Sequence, residues 1–161
     1  MKELLLLRHA KSSWESLVED RNRSLTEGGV NRIKRMATAS SELFKSFEVV
    51  FSSPANRAMH TACIMMHEVQ MPFEFLNLRE QLYTFEVSQL INFIKSLPDH
   101  YSKVICVGHN PAFTYAVSTL STTNLDHLPT AAWAQIQFEQ NQWNLIDNGQ
   151  ARIGLPKDIL K

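Results

Sequence analysis

Two uninterrupted apolar runs, LLLL at Leu4–Leu7 and KVICV at Lys103–Val107, constrain the fold more than anything else in this chain. Neither alternates with polar residues, as a strand with one wet face would. Strands that read this way are covered on both sides, the state of interior strands in a parallel sheet flanked by helices. A further strand is expected at Glu48–Ser52 and a short one at Phe73–Leu76. Near the end, Ala134–Phe138 and Trp143–Asp147 flank the polar segment EQNQ and read as an antiparallel hairpin.

Helical patterns fill the intervals. Thr26 is placed to cap a helix from about Glu27 to Lys45, with Val30, Ile33, Met36, Ala37, Ser40, Leu43 and Phe44 on its inner face. Ser53-Pro54 is a cap followed by a first-turn proline, opening a helix to about Glu68. Val87–Leu97 is amphipathic and stopped by Pro98, and Asn110-Pro111 repeats the cap-proline device before a helix to about Leu120. With no internal repeat or long linker, the expectation is an α/β sandwich built as a single domain over residues 1–161.

Charge narrows the partners. Lys+Arg and Asp+Glu are 16 each, so no polyanion-binding surface is indicated and nucleic acid is not an expected partner. The Leu4–Leu7 run is too short for a signal peptide or a membrane span and is ended by Arg8. Cys63 and Cys106 sit inside apolar stretches and read as core residues rather than a disulfide framework. A cytoplasmic protein is expected; a monomer is compatible with the sequence, which does not fix the oligomeric state.

The chemistry gathers at strand ends. The first strand runs into Arg8-His9, the second into SSPANR with Arg57, and the third into GHNP with His109. Taken singly, each has an ordinary reading: a strand-end histidine satisfied by a carbonyl, an ion-pairing or solvated arginine, a histidine at a helix start. If the strands are parallel neighbours, however, two imidazoles and two guanidiniums meet at one rim, where α/β sheets bind ligands and helix amino-termini favour anions. Arginine matches paired phosphate oxygens, and a neutral histidine is a competent nucleophile toward phosphorus. Ser12, Ser13, Asn110 and Lys11 stand near enough in sequence to add hydrogen bonds or charge. His60 and His67 share a helix face without an H-E-x-x-H pattern, so no metal site is expected.

The blocks LLLLRHAKSSW, DRNRSLTEGG, SSPANRAMHTA, VICVGHNPAF and LPTAA, in that order, resemble the histidine phosphatase (phosphoglycerate mutase-like) superfamily, and within it the small SixA-type phosphohistidine phosphatases. The resemblance implies a three-layer α/β/α sandwich with a mostly parallel sheet, a C-terminal antiparallel hairpin and no cap insertion. It implies that His9 becomes a phosphohistidine intermediate, that Arg8 and Arg57 bind the phosphoryl oxygens, and that His109 donates to them in the transition state; Ser12 and Ser13, beside them in sequence, are the further phosphate-binding candidates. Glu80, in Leu78-Arg79-Glu80, matches the family's proton donor, and Asp20 and Arg23 match a block that buttresses the first loop. No cofactor or metal is implied.

Three features depart from the usual pattern of that superfamily. Ala10 replaces a glycine after the nucleophile, Ser24 replaces a proline, and Gly28-Gly29 should loosen the start of a helix by up to about 1 kcal/mol. The expected activity is hydrolysis of a phosphorylated substrate, foremost a protein phosphohistidine. A small phosphomonoester substrate and a non-catalytic phosphate-binding module are the alternatives.

Overall fold

A computed structural model describes residues 1–15 and 17–161. Six strands form one sheet: β1 (Lys2–Arg8), β2 (Val49–Ser52), β3 (Leu76–Leu78), β4 (Lys103–Gly108), β5 (Trp133–Phe138) and β6 (Gln150–Gly154). Their order is β3-β2-β4-β1-β5-β6, with the first four parallel and β5 and β6 antiparallel. The helices are α1 (Glu27–Ala39), α2 (Ser41–Lys45), α3 (Asn56–Glu68), α4 (Val87–Lys95), α5 (Ala112–Leu120) and a final turn α6 (Pro156–Ile159).

The unbroken apolar runs are explained by the two cores. Successive strand residues point to opposite faces. Leu4, Leu6, Val104 and Cys106 therefore pack with residues of α4 and α5, while Leu5, Leu7, Ile105 and Val107 pack with residues of α1 and α3. The result is a three-layer α/β/α sandwich with β1 and β4 as its central pair of strands. Ala10, fully buried, joins the second cluster, so its methyl group fills core space.

Four expectations change. The helix from Glu27 breaks at Ser40, whose Oγ accepts from Trp133 Nε1 at 3.0 Å, and resumes as α2. The helix after Pro54 starts at Asn56 rather than at the proline, although Ser53 Oγ still accepts from Ala55 N. Phe73–Phe75 form a 3-10 turn, and the edge strand begins at Leu76. The C-terminal pair uses β6, not Trp143–Asp147. That stretch buries Trp143 and Ile146, three residues apart, which a strand's two-residue period places on opposite faces. A 3-10 turn at Trp143–Leu145 puts both inward, with Trp143 Nε1 donating to Tyr101 O.

Candidate active site

Register brings the strand ends together. Arg8 is opposite Gly108, Ser52 is opposite Val107, His9 N donates to Gly108 O, and Ser53 N donates to Val107 O. His9, Ser53 and His109 thus leave three adjacent parallel strands at the same level, and Arg57 joins them from the first turn of α3. The expected convergence of Arg8, His9, Arg57 and His109 is present: all four line one cleft of about 400 Å³. Lys11, Ser12, Trp14, Asp20, Arg23, Phe85, Asn110 and Thr130 complete its lining.

His9 is oriented by its own loop. Nδ1 lies 2.7 Å from Ala10 O, a group that can only accept, so Nδ1 carries the hydrogen and Nε2 keeps its lone pair. Burial chiefly, and the nearby cations Arg57, Arg8 and Arg23, bring the pKa of His9 down to about 4 despite that hydrogen bond. The imidazole is neutral at physiological pH, as a nucleophile must be. His109, 5.3 Å away between ring centroids, is brought down to about 3 by burial and by Arg57. Its Nε2 lies 2.8 Å from Ser53 Oγ. That oxygen also accepts from Ala55 N and has one hydrogen to give; donated to Nε2, it leaves the hydrogen of the neutral ring on Nδ1.

Arg57 is buried and held. Nη1 donates to Asp20 O at 2.7 Å and Nη2 to Asp20 Oδ2 at 2.9 Å. The Asp20 carboxylate also accepts from Tyr83 OH at 2.6 Å and Arg23 Nη1 at 3.1 Å. Partial burial raises its pKa, but these hydrogen bonds outweigh it and bring Asp20 to about 2. Arg8 donates from Nη1 to Leu128 O, and burial and Arg57 lower its pKa. Four cations therefore surround the cleft against the single carboxylate of Asp20.

Among the described residues, three buried side-chain nitrogens or oxygens lack any hydrogen-bond partner: Arg8 Nε, Arg57 Nε and His109 Nδ1. All three belong to this cleft. An unsatisfied buried donor costs about 1–3 kcal/mol, and more when it is charged. Three together, beside the free Nε2 of His9, form a place for a multiply charged acceptor.

The remaining expected residues fare differently. Ser12 lines the cleft, where its Oγ accepts from Arg23 Nη2 at 2.6 Å. Ser13 does not line it: its Oγ accepts from Glu15 N, and its carbonyl receives Arg23 Nε. Asn110 caps α5 by accepting from Thr114 N, and donates to Leu128 O. Glu80 stands outside the lining, 68% exposed, in a two-pronged ion pair with Arg21 that lowers its pKa. Its partner is thus Arg21, while the adjacent Arg79 donates to Leu78 O. Asp20 does more than buttress the loop, since it grips Arg57 directly. Ser53, Tyr83, Trp14 and Phe85 were not singled out as site residues from sequence; a cap serine and three aromatics carry no spacing signal that would have marked them.

The profile of the histidine phosphatase superfamily (branch 1) matches residues 4–86, which include Arg8, His9 and Arg57. An uncharacterized chloroplastic protein of Arabidopsis thaliana is 31% identical over 152 residues, covering 88% of this chain and 69% of that one. The protein histidine phosphatase SixA, solved in complex with tungstate, superposes with a TM-score of 0.82 at 21% identity over 99% of both chains. A protein from Agrobacterium tumefaciens assigned as a phosphohistidine phosphatase SixA gives a TM-score of 0.74 at 22% identity, over 84% of this chain and 91% of that one. With the fold of the SixA-type proteins and a profile match across half its length, the chain belongs to the histidine phosphatase superfamily.

Proposed function

We propose that this protein is a phosphatase that hydrolyses protein phosphohistidine by two in-line displacements at His9. The three unpartnered buried nitrogens on residues that share the cleft with His9 carry this reading. In the first step Nε2 bonds to phosphorus as the bond to the substrate nitrogen breaks, while Arg8, Arg57 and His109 donate to the equatorial oxygens. The electron pair of the broken bond leaves on an imidazole protonated at the other ring nitrogen, so that it departs neutral. In the second, water attacks phosphorus, the bond to Nε2 breaks to return the neutral His9 ring, and both water protons leave with the product as dihydrogen phosphate. Ser12 Oγ, which still has its own hydrogen to donate, assists Arg8.

The position of Glu80 supports the choice of substrate. A carboxylate paired with Arg21 outside the cleft is a poor general acid. An alkoxide leaving group needs such an acid far more than an imidazole does. Asp20 is no substitute, because it is held as the anion by three donors. The mechanism calls on no metal or cofactor, and the unpaired cysteines suit a reducing compartment such as the cytoplasm.

The experiment is phosphate release by wild type and His9→Ala from a histidine-phosphorylated protein and from a panel of small phosphomonoesters. Release should depend on His9, fall by a factor of about 1,000 or more in the variant, and be fastest from the phosphohistidine protein. A preference for one small ester would keep the mechanism and replace the substrate. Binding of phosphorylated ligand with no release from any substrate would make the cleft a phosphate reader instead.

A further inference from the structure

Two large aromatic rings at the mouth of the cleft have no part in the phosphoryl chemistry. Trp14 is 78% exposed and Phe85 is 47% exposed, yet both line the cleft. A tryptophan left so open is uncommon, and here it stands beside a reactive centre rather than singly on a surface.

Both rings are pinned. The Arg23 guanidinium carbon lies 3.2 Å from the Trp14 ring centroid, covering one face and leaving the other bare. Arg23 is itself fixed by Ser12 Oγ, Ser13 O and Asp20 Oδ1, so the Trp14 wall is tied to the carboxylate that holds Arg57. Phe85 comes from the segment before α4 and packs edge-on against His109 at 5.6 Å and against Tyr83 at 5.9 Å. Rings oriented by such contacts lose less freedom on gripping a ligand than free ones would.

Few groups remain for a polar carrier. Asn110 is committed to Leu128 O and to Thr114, which among the described residues leaves Lys11 and Thr130 as the lining side chains with uncommitted polar ends beyond the phosphoryl floor. A sugar or polyol phosphate needs more partners than that to replace its water. A flat apolar ring finds two aromatic surfaces.

We propose that Trp14 and Phe85 are the specificity walls of this site and select a phosphoryl group carried on a flat aromatic ring, the imidazole of phosphohistidine, over one carried on an aliphatic or sugar alcohol. This inference rests on the phosphatase reading above and adds to it the part of the protein that recognises the leaving group.

The test is kcat/KM for wild type, Trp14→Ala, Phe85→Ala and Phe85→Leu on free phosphohistidine, phenyl phosphate and glycerol phosphate. Each variant is compared with wild type on the same substrate, so leaving-group chemistry cancels. Where glycerol phosphate turns over too slowly, its inhibition constant serves in place of kcat/KM. Loss of one ring should cost about tenfold on the two aromatic substrates and under twofold on glycerol phosphate. Phe85→Leu, which keeps apolar packing but removes the ring, should behave as Phe85→Ala. Equal losses on all three substrates, or none on any, would overturn the walls while leaving the phosphatase intact. A wild type that releases phosphate neither from these nor from a histidine-phosphorylated protein overturns the phosphatase reading, and the walls with it.

Discussion

The hydrogen on His109 is set by a residue that never meets substrate. Ser53 Oγ accepts from Ala55 N and faces His109 Nε2 at 2.8 Å, and donation of its proton there selects the Nδ1–H form of the neutral ring. That form suits a histidine whose pKa is held to about 3, since it donates to a phosphoryl oxygen without first being protonated. In wild type at pH 7, nitrogen NMR should show His109 neutral with the hydrogen on Nδ1. Ser53→Ala leaves Nε2 buried and unpaired, which should mix the tautomers and lower kcat by about 10-fold with a smaller change in KM, less than the 10²–10³ of a donor lost outright. An Nε2–H ring in the wild-type spectrum would remove Ser53 from this role. At this scale the sequence shows less than it does for strands. Arg8, His9, Arg57 and His109 are legible because each follows an apolar strand or a cap-proline device. The Asp20 grip on Arg57 spans 37 residues, and no local pattern announces it.

The two adjacent glycines at the start of α1 are alike in sequence and opposite in structure. Gly28 is exposed, and the nearest atom to an added Cβ is Thr26 Oγ1 at 3.9 Å. At Gly29 the same Cβ would sit 2.3 Å from Lys11 O, the backbone of the loop that carries the site. The loosening expected of Gly28-Gly29 is therefore the consequence of a contact: α1 is pressed against that loop, where Thr26 N also donates to Lys11 O. Gly28→Ala should stabilise by a few tenths to about 1 kcal/mol. Gly29→Ala should destabilise by about 1–3 kcal/mol and depress phosphate release by displacing the loop. Urea unfolding of both variants, with activity beside it, checks the pair; matching shifts for the two would refute the contact. Elements were legible wherever burial was two-sided, as in β1 and β4. Reading failed at the margins: β6 is an edge strand of mixed polarity, and the apolar Trp143–Asp147 stretch beside it mimics a strand while coiling into a turn to bury Trp143.

For the whole molecule, the site is a liability in acid. His9 and His109 are almost completely buried in the folded chain, with pKa values of about 4 and about 3 against 6.5 for an ordinary histidine. Above pH 6.5 both states leave these rings neutral and the site imposes no pH dependence. As pH falls below 6.5 the unfolded chain takes up protons that the folded chain refuses, so stability drops, and it goes on dropping until the folded pKa values are reached. Each ring should remove about 2 kcal/mol by pH 5, a window in which ordinary carboxylates are still largely ionised. Thermal unfolding should therefore show Tm falling between pH 6.5 and 5, with a smaller fall in His9→Gln and in His109→Gln. An oxyanion in the cleft reverses the balance, because a dianion beside two imidazoles favours their charged forms. Sulfate, a dianion throughout this range, should accordingly raise Tm more at pH 5 than at pH 8. A wild-type Tm that stays flat to pH 5, or sulfate protection that weakens in acid, would mean that the two rings are not the neutral, buried pair that their surroundings dictate.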